Sequence, residues 1–266
     1  LAIIGPTKPY TEQEVALLDR YLASGGRLLV ALDPLFDPAG GMQQTRLEPL
    51  LQAHGVEVHD DLVVDPSRKL PFFDLSAVYL EQFTTHPVTQ GLEGVAVLFP
   101  VTRSVAPATG EGFTAQRLVE TSADGWGETN LGQLLRGEPV AKDERDLAGP
   151  VAVAVVVQAA SADAADEDAP APAAAPDAGL RLLAFGDSDF LVDDSIANAG
   201  NLTLALNTFN WLVQREEALG IPPRQVERVS LFLSSEQLTL VFLLTVVAMP
   251  GAAIVAGIVV WRRRRH

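Results

Sequence analysis

Cysteine is absent from all 266 residues. That excludes disulfides, cysteine-ligated zinc, iron–sulfur clusters and any thiol nucleophile. Basic charge is scarce: 19 lysines and arginines stand against 34 aspartates and glutamates, a formal net charge of -15. Phosphate recognition needs a clustered positive surface, so nucleic acid is not an expected partner. The four histidines, His54, His59, His86 and His266, show no HxxxH spacing. No metal is expected on that ground. A GxSxG elbow is missing, and Gly5-Pro6-Thr7-Lys8 does not fit the phosphate-cradling GxxxxGK[ST] loop. No cofactor is expected, and no internal repeat is evident. What the chain has in quantity is apolar side chains, 48% of the total. At this length that suffices for the core of one or two domains.

The longest apolar run covers residues 238–261, 24 positions without a charge. As a helix it would extend about 36 Å, against a hydrocarbon core of about 30 Å. Trp261 suits a membrane interface, and Arg262, Arg263, Arg264 and Arg265 come directly after it. Arginines beside a span face the cytoplasm. The expectation is a transmembrane helix at 238–261, a cytoplasmic arginine-rich tail at 262–266, and residues 1–222 outside the cytoplasm. Residues 223–237 would be a juxtamembrane connector. Pro250-Gly251 lies mid-span and can kink such a helix. The chain opens on Leu1 inside a strand-like run, so an upstream segment with an earlier membrane helix is expected too.

Residues 1–35 read as strand, helix, strand. Residues 1–4 are apolar, Thr11 with Glu14 forms a capping box, Val15, Leu18 and Leu22 keep helical spacing, and residues 27–32 are largely apolar again. A βαβ unit implies parallel strands and a right-handed crossover. A second helix is expected over residues 41–54. Residues 151–157, VAVAVVV, are too continuously apolar for a one-sided strand, so they should lie centrally, buried on both faces. Residues 159–179 hold Ala, Pro and five carboxylates with no basic residue, a composition that cannot order itself. They read as an insertion between two strands. Residues 181–185 form the next strand and 201–213 a helix.

In open α/β sheets ligands bind beyond the strand C-termini. Those ends carry Gly5-Pro6-Thr7, Asp33-Pro34 and Gly186-Asp187-Ser188-Asp189. Asp33, Asp187, Ser188 and Asp189 are thus a candidate ligand or partner rim, able in principle to hold a metal or act as acid and base. The plainer reading is that Asp and Ser stop strands and make Asx turns. A discriminating observation is whether Asp187 and Asp189 converge or diverge, as alternate positions on an extended segment do. Trp126, in a polar glycine-rich loop, is a candidate partner anchor if exposed and a plug over the core if not.

Several segments in order resemble one family. The opening LAIIGPTKPYTEQEVALLDRYLASGGRLLVALDP, then HPVTQGLEGVAVLFPVTRSV, LVETSADGWGET and RLLAFGDSDFLVDDSIANAGNLTLALNTFNWL are similar to the GldG family. The last segment has Gly186, Asp187, Asp189, Phe190, Asn201, Asn207, Asn210 and Trp211 in place. This family is the auxiliary component of gliding-motility-type ABC transport systems. The resemblance implies a non-enzymatic, membrane-anchored accessory subunit at the bacterial cytoplasmic membrane, partnered by a separate ABC permease and ATPase and by membrane lipid. Its soluble part would recognise a partner or cargo. It also implies an α/β fold with a mostly parallel sheet flanked by helices, similar to class I glutamine amidotransferases and flavodoxin-like proteins. The amidotransferase activity does not carry over, since it needs a cysteine. The alternative is an extracytoplasmic module binding a small ligand or glycan at the strand-end rim; a metal-dependent hydrolase is a third reading.

Overall fold

The computed structural model describes residues 1–37, 41–68, 77–136, 138–160, 179–214, 240 and 242–264. The chain divides into two compact units, Leu1–Arg224 and Gln225–His266. In the first, the strands are β1 (Ala2–Ile4), β2 (Arg27–Ala31), β3 (Val56–Val58), β4 (Leu62–Val64), β5 (Val78–Leu80), β6 (Gln82–Phe83), β7 (Val97–Phe99), β8 (Val105–Pro107), β9 (Phe113–Glu120), β10 (Trp126–Glu128), β11 (Leu147–Ala148), β12 (Ala152–Ala159) and β13 (Arg181–Phe185). The helices are α1 (Glu12–Ala23), α2 (Glu48–Ala53), α3 (Leu131–Leu135), α4 (Asp193–Ile196) and α5 (Asn201–Leu212).

The βαβ reading of the first residues holds. β1 lies parallel to β2, with Ala2 opposite Leu29, and α1 connects them. Thr11 caps α1 as the sequence predicts: its Oγ1 accepts from Glu14 N at 3.3 Å, and Glu14 Oε2 accepts from Thr11 N at 2.8 Å. The second expected helix is shorter than 41–54. It starts only at Glu48, where Pro49 supplies the fixed φ of a first turn, while Arg46 has φ 67° and cannot be helical.

The expectation of a mostly parallel, flavodoxin-like sheet is overturned. The six-stranded sheet runs β1-β2-β13-β12-β9-β6. Its β1, β2 and β13 are mutually parallel, but β12 is antiparallel to β13, β9 to β12 and β6 to β9. Three small antiparallel sheets, β11-β10-β4, β3-β8 and β5-β7, complete a mixed architecture. The VAVAVVV run misleads here because continuous apolarity reports burial on both faces and is silent on strand direction. Burial itself is as expected, with residues 151–157 all buried.

Alternation along the strands builds two cores. Leu29, Ala31, Leu183 and Phe185 face one cluster, which α5 closes with Leu204, Trp211 and Leu212. Leu28, Val30, Leu182 and Ala184 face the other, closed by Leu18 and Leu22 of α1 and Leu50 and Leu51 of α2. The period-two pleat thus sends successive β2 and β13 residues to opposite layers. It leaves the strand ends, and not the faces, open to ligands.

The second unit also departs from expectation. A π-helical segment, Leu243–Ala248, precedes α6 (Met249–Arg264). Among the described residues no helix is long and apolar enough to cross a membrane. Pro250 lacks the N–H that would close an α-helical turn, and wide turns accumulate at such points. The sixteen residues of α6 include Arg262, Arg263 and Arg264, so its uncharged part falls short of the expected span at about 1.5 Å per residue. The 159–179 insertion lies almost wholly outside the described residues, as do the connector 223–237 and Arg265.

Candidate functional site

Because β2 and β13 are parallel neighbours, with Ala31 opposite Phe185, the loops after them emerge side by side. Leu32 N donates to Phe185 O at 2.9 Å and extends the pairing one step. Asp33 and Ser188 then meet across 155 positions of sequence. Ser188 N donates to Asp33 Oδ1 at 2.6 Å, and Ser188 Oγ donates to Asp33 Oδ2 at 2.9 Å. This two-point clamp uses both oxygens of one carboxylate to fix the loop after β13.

Asp187 and Asp189 do not diverge. Asp189 N donates to Asp187 Oδ1 at 2.8 Å, an Asx turn that folds the segment back. One carboxylate oxygen from each of Asp33, Asp187 and Asp189 lies within 4.8 Å of the others. Asp187 is completely buried, Asp33 partly and Asp189 exposed. Burial pushes the Asp187 carboxyl up to about 8, with the charges of Asp189 and Asp33 adding to the rise and the Asp189 N–H opposing it. Asp189 is also raised, by burial first and by Asp33 second. Asp187 Oδ2 is buried without a hydrogen-bond partner.

Gly5, at the end of β1, completes the rim. Its φ is 56°, and a Cβ there would stand 2.7 Å from Ser188 Oγ and 3.0 Å from Asp33 Oδ2. Glycine is required both by the backbone angle and by the closeness of the site. Behind the rim, Gly186 packs on the chain at Arg103: Arg103 N donates to Gly186 O at 2.9 Å, and a Cβ on Gly186 would lie 1.9 Å from Arg103 O.

Arg103 escapes the sequence reading. Its side chain is fully buried, Nε donating to His59 O at 2.7 Å and Nη2 to Asp60 Oδ1 at 2.6 Å. Burial lowers its pKa, against the opposing charges of Asp60, Glu48 and Asp61. The available signal is a lone arginine in VTRSV, directly after a buried strand.

The rim thus gathers four of the five candidate residues. Trp126 is apart from them in sheet β11-β10-β4, buried, with Nε1 donating to Glu128 Oε2 at 3.1 Å. Trp261, Arg262, Arg263 and Arg264 are exposed on α6. Asp61, Ser104 and His59 form a hydrogen-bonded row, Ser104 Oγ lying 2.6 Å from Asp61 and 2.8 Å from His59 Nδ1. It has serine in the middle, whereas a hydrolytic triad needs histidine there to take the serine proton.

Comparison with known proteins gives the class. The family described as ABC-type uncharacterized transport system matches residues 1–210, and the chain belongs to it. This agrees with the GldG-like resemblance and assigns an accessory role in an ABC transport system. A solved structure described as "mmIFT52 N-terminal domain" is similar at 17% identity and TM-score 0.50, over 79% of this chain and 75% of that one. At that identity the likeness concerns the fold alone. No curated protein matches the chain.

Proposed function

We propose that this chain is a non-catalytic accessory component whose α/β unit engages a partner or cargo of an ABC transport system, working beside a separate permease and ATPase. The family match over residues 1–210 carries this reading. On this reading the chain works at the bacterial cytoplasmic membrane with the α/β unit on the extracytoplasmic side. The uncharged stretch 238–261 and the adjacent arginines 262–265 support lipid contact, since arginines are drawn to anionic headgroups. The deciding experiment is purification of the tagged full chain from its native cells in mild detergent. Co-elution of a permease and an ATPase in fixed ratio is expected, and a chain that elutes alone would overturn the reading. Protease added to spheroplasts is expected to degrade the α/β unit; protection of that unit would overturn the extracytoplasmic placement.

A further inference from the structure

We propose that Asp33, Asp187 and Asp189 form a binding site for a hard divalent cation of the calcium class, at the C-terminal rim of the parallel strands. The proposal stands apart from the transport reading, and either can fail without the other.

The first observation is convergence. Three carboxylates from two loops present oxygens within 4.8 Å of one another. Two ligands on one ion can be no farther apart than twice the metal–oxygen distance. That limit is about 4.6–5.2 Å for calcium and about 4.2 Å for magnesium. Separations of no more than 4.8 Å fall within calcium's reach. The donors are all oxygen, without histidine, which is the preference of hard cations.

The second observation is independent of the first. Asp187 Oδ2 is fully enclosed and has no hydrogen-bond partner, although Oδ1 of the same carboxylate accepts from Asp189 N. A buried polar atom left without a partner is rare and costly, and an ion is one of the few things that satisfies it. No lysine, arginine or histidine among the described residues pairs with any of the three carboxylates. A cation would supply the missing partner for these carboxylate oxygens.

The third observation is rigidity. Ser188 holds Asp33 by two hydrogen bonds, and the Asx turn holds Asp187. These two carboxylates are thus fixed before an ion arrives, which lowers the ordering cost of binding. Asp189 is exposed, so the remaining coordination positions open to water, as calcium sites commonly require.

The rival explanation is a proton shared among the carboxylates with no ion at all. Calcium titration into the chelator-treated full chain, monitored by calorimetry and by melting temperature, separates the two. Saturable binding near one ion per chain is expected, with a higher melting temperature and with magnesium weaker than calcium. Asp187→Asn and Asp189→Asn are expected to weaken calcium binding about tenfold or more, and Asp143→Asn, at a distant exposed ion pair with Arg145, to leave it unchanged. Should Asp187→Asn not fold, Asp189→Asn decides: its bond to Asp187 comes from the backbone and survives substitution. Absence of saturable calcium binding, or equal binding by the parent and both variants, overturns the proposal. Tighter magnesium than calcium overturns the choice of ion.

Discussion

At His86 the imidazole Nδ1 accepts from Val88 N at 3.1 Å, and the ring stands edge-on to Trp211 with centroids 5.2 Å apart. The bond from Val88 needs an unprotonated Nδ1. Burial, with Arg181 nearby, lowers the pKa of His86 from 6.5 to about 4. Between those values the unfolded chain takes up a proton and the folded chain does not, so acid favours unfolding. Stability from this group is intact above about pH 6.5 and is lost as pH falls toward about 4. Asparagine can also accept from the Val88 N–H. His86→Asn is therefore expected to flatten this part of the acid limb in urea unfolding measured across pH, with a pH-independent loss of about 1 kcal/mol from the missing ring contact with Trp211. The rim was partly legible at this scale. Aspartates and a serine directly after apolar strands mark Asp33, Asp187, Ser188 and Asp189. Their convergence was not legible, since Asp33 and Ser188 are 155 positions apart and meet only because β2 and β13 are neighbours. Arg103 was hidden for a similar reason: its partners, His59 O and Asp60, belong to another loop.

Among the elements, α5 is tied to its surroundings by side-chain amides as well as by packing. Asn201 is fully buried, accepts from Leu98 N at 2.8 Å and donates to Leu98 O at 2.9 Å. It offers β7 what a neighbouring strand would offer. Asn207 adds bonds to Val88 O and Gln90 O at 3.1 and 2.8 Å. Asn201→Ala strands both backbone groups of Leu98 in the interior, at about 1–3 kcal/mol per orphaned group. The expected loss is about 2–6 kcal/mol, read as a lower urea midpoint with unchanged slope. The helix over 201–213 was readable in the sequence, but its apolar residues did not mark its buried face: Leu206 and Phe209 are exposed while Leu204, Trp211 and Leu212 are buried; the capping box announced α1. Strand direction was not announced. Alternation and apolar runs encode which faces are buried, and a parallel and an antiparallel neighbour bury a strand alike.

For the whole molecule, the two compact units carry different compositions. Leu1–Arg224 contains the mixed sheet and both cores, and Gln225–His266 contains the apolar run and the terminal arginines. A chain ended at Arg224 is expected to keep the cooperative melting transition of the α/β unit, monitored by near-ultraviolet circular dichroism; loss of that transition would show that the unit depends on residues 225–266. The apolar run shows where hydropathy stops being informative: 24 uncharged residues meet a length criterion, while among the described residues the run is divided between a π-helical segment and α6. The family, by contrast, was readable through several ordered segments, and it spans the unit that folds around the rim.

The register of β12 on β13 has one more outcome. Ala154 faces Phe185, and Gln158 faces Arg181, so the chain leaves β12 and enters β13 at the end of the sheet remote from Asp187. Variation in the length or chemistry of the intervening alanine-, proline- and aspartate-rich stretch therefore enters the fold far from the carboxylates. That geography makes the stretch a natural port for an epitope or a fluorophore, through which the chain could be tracked in cells while the opposite pole keeps its chemistry.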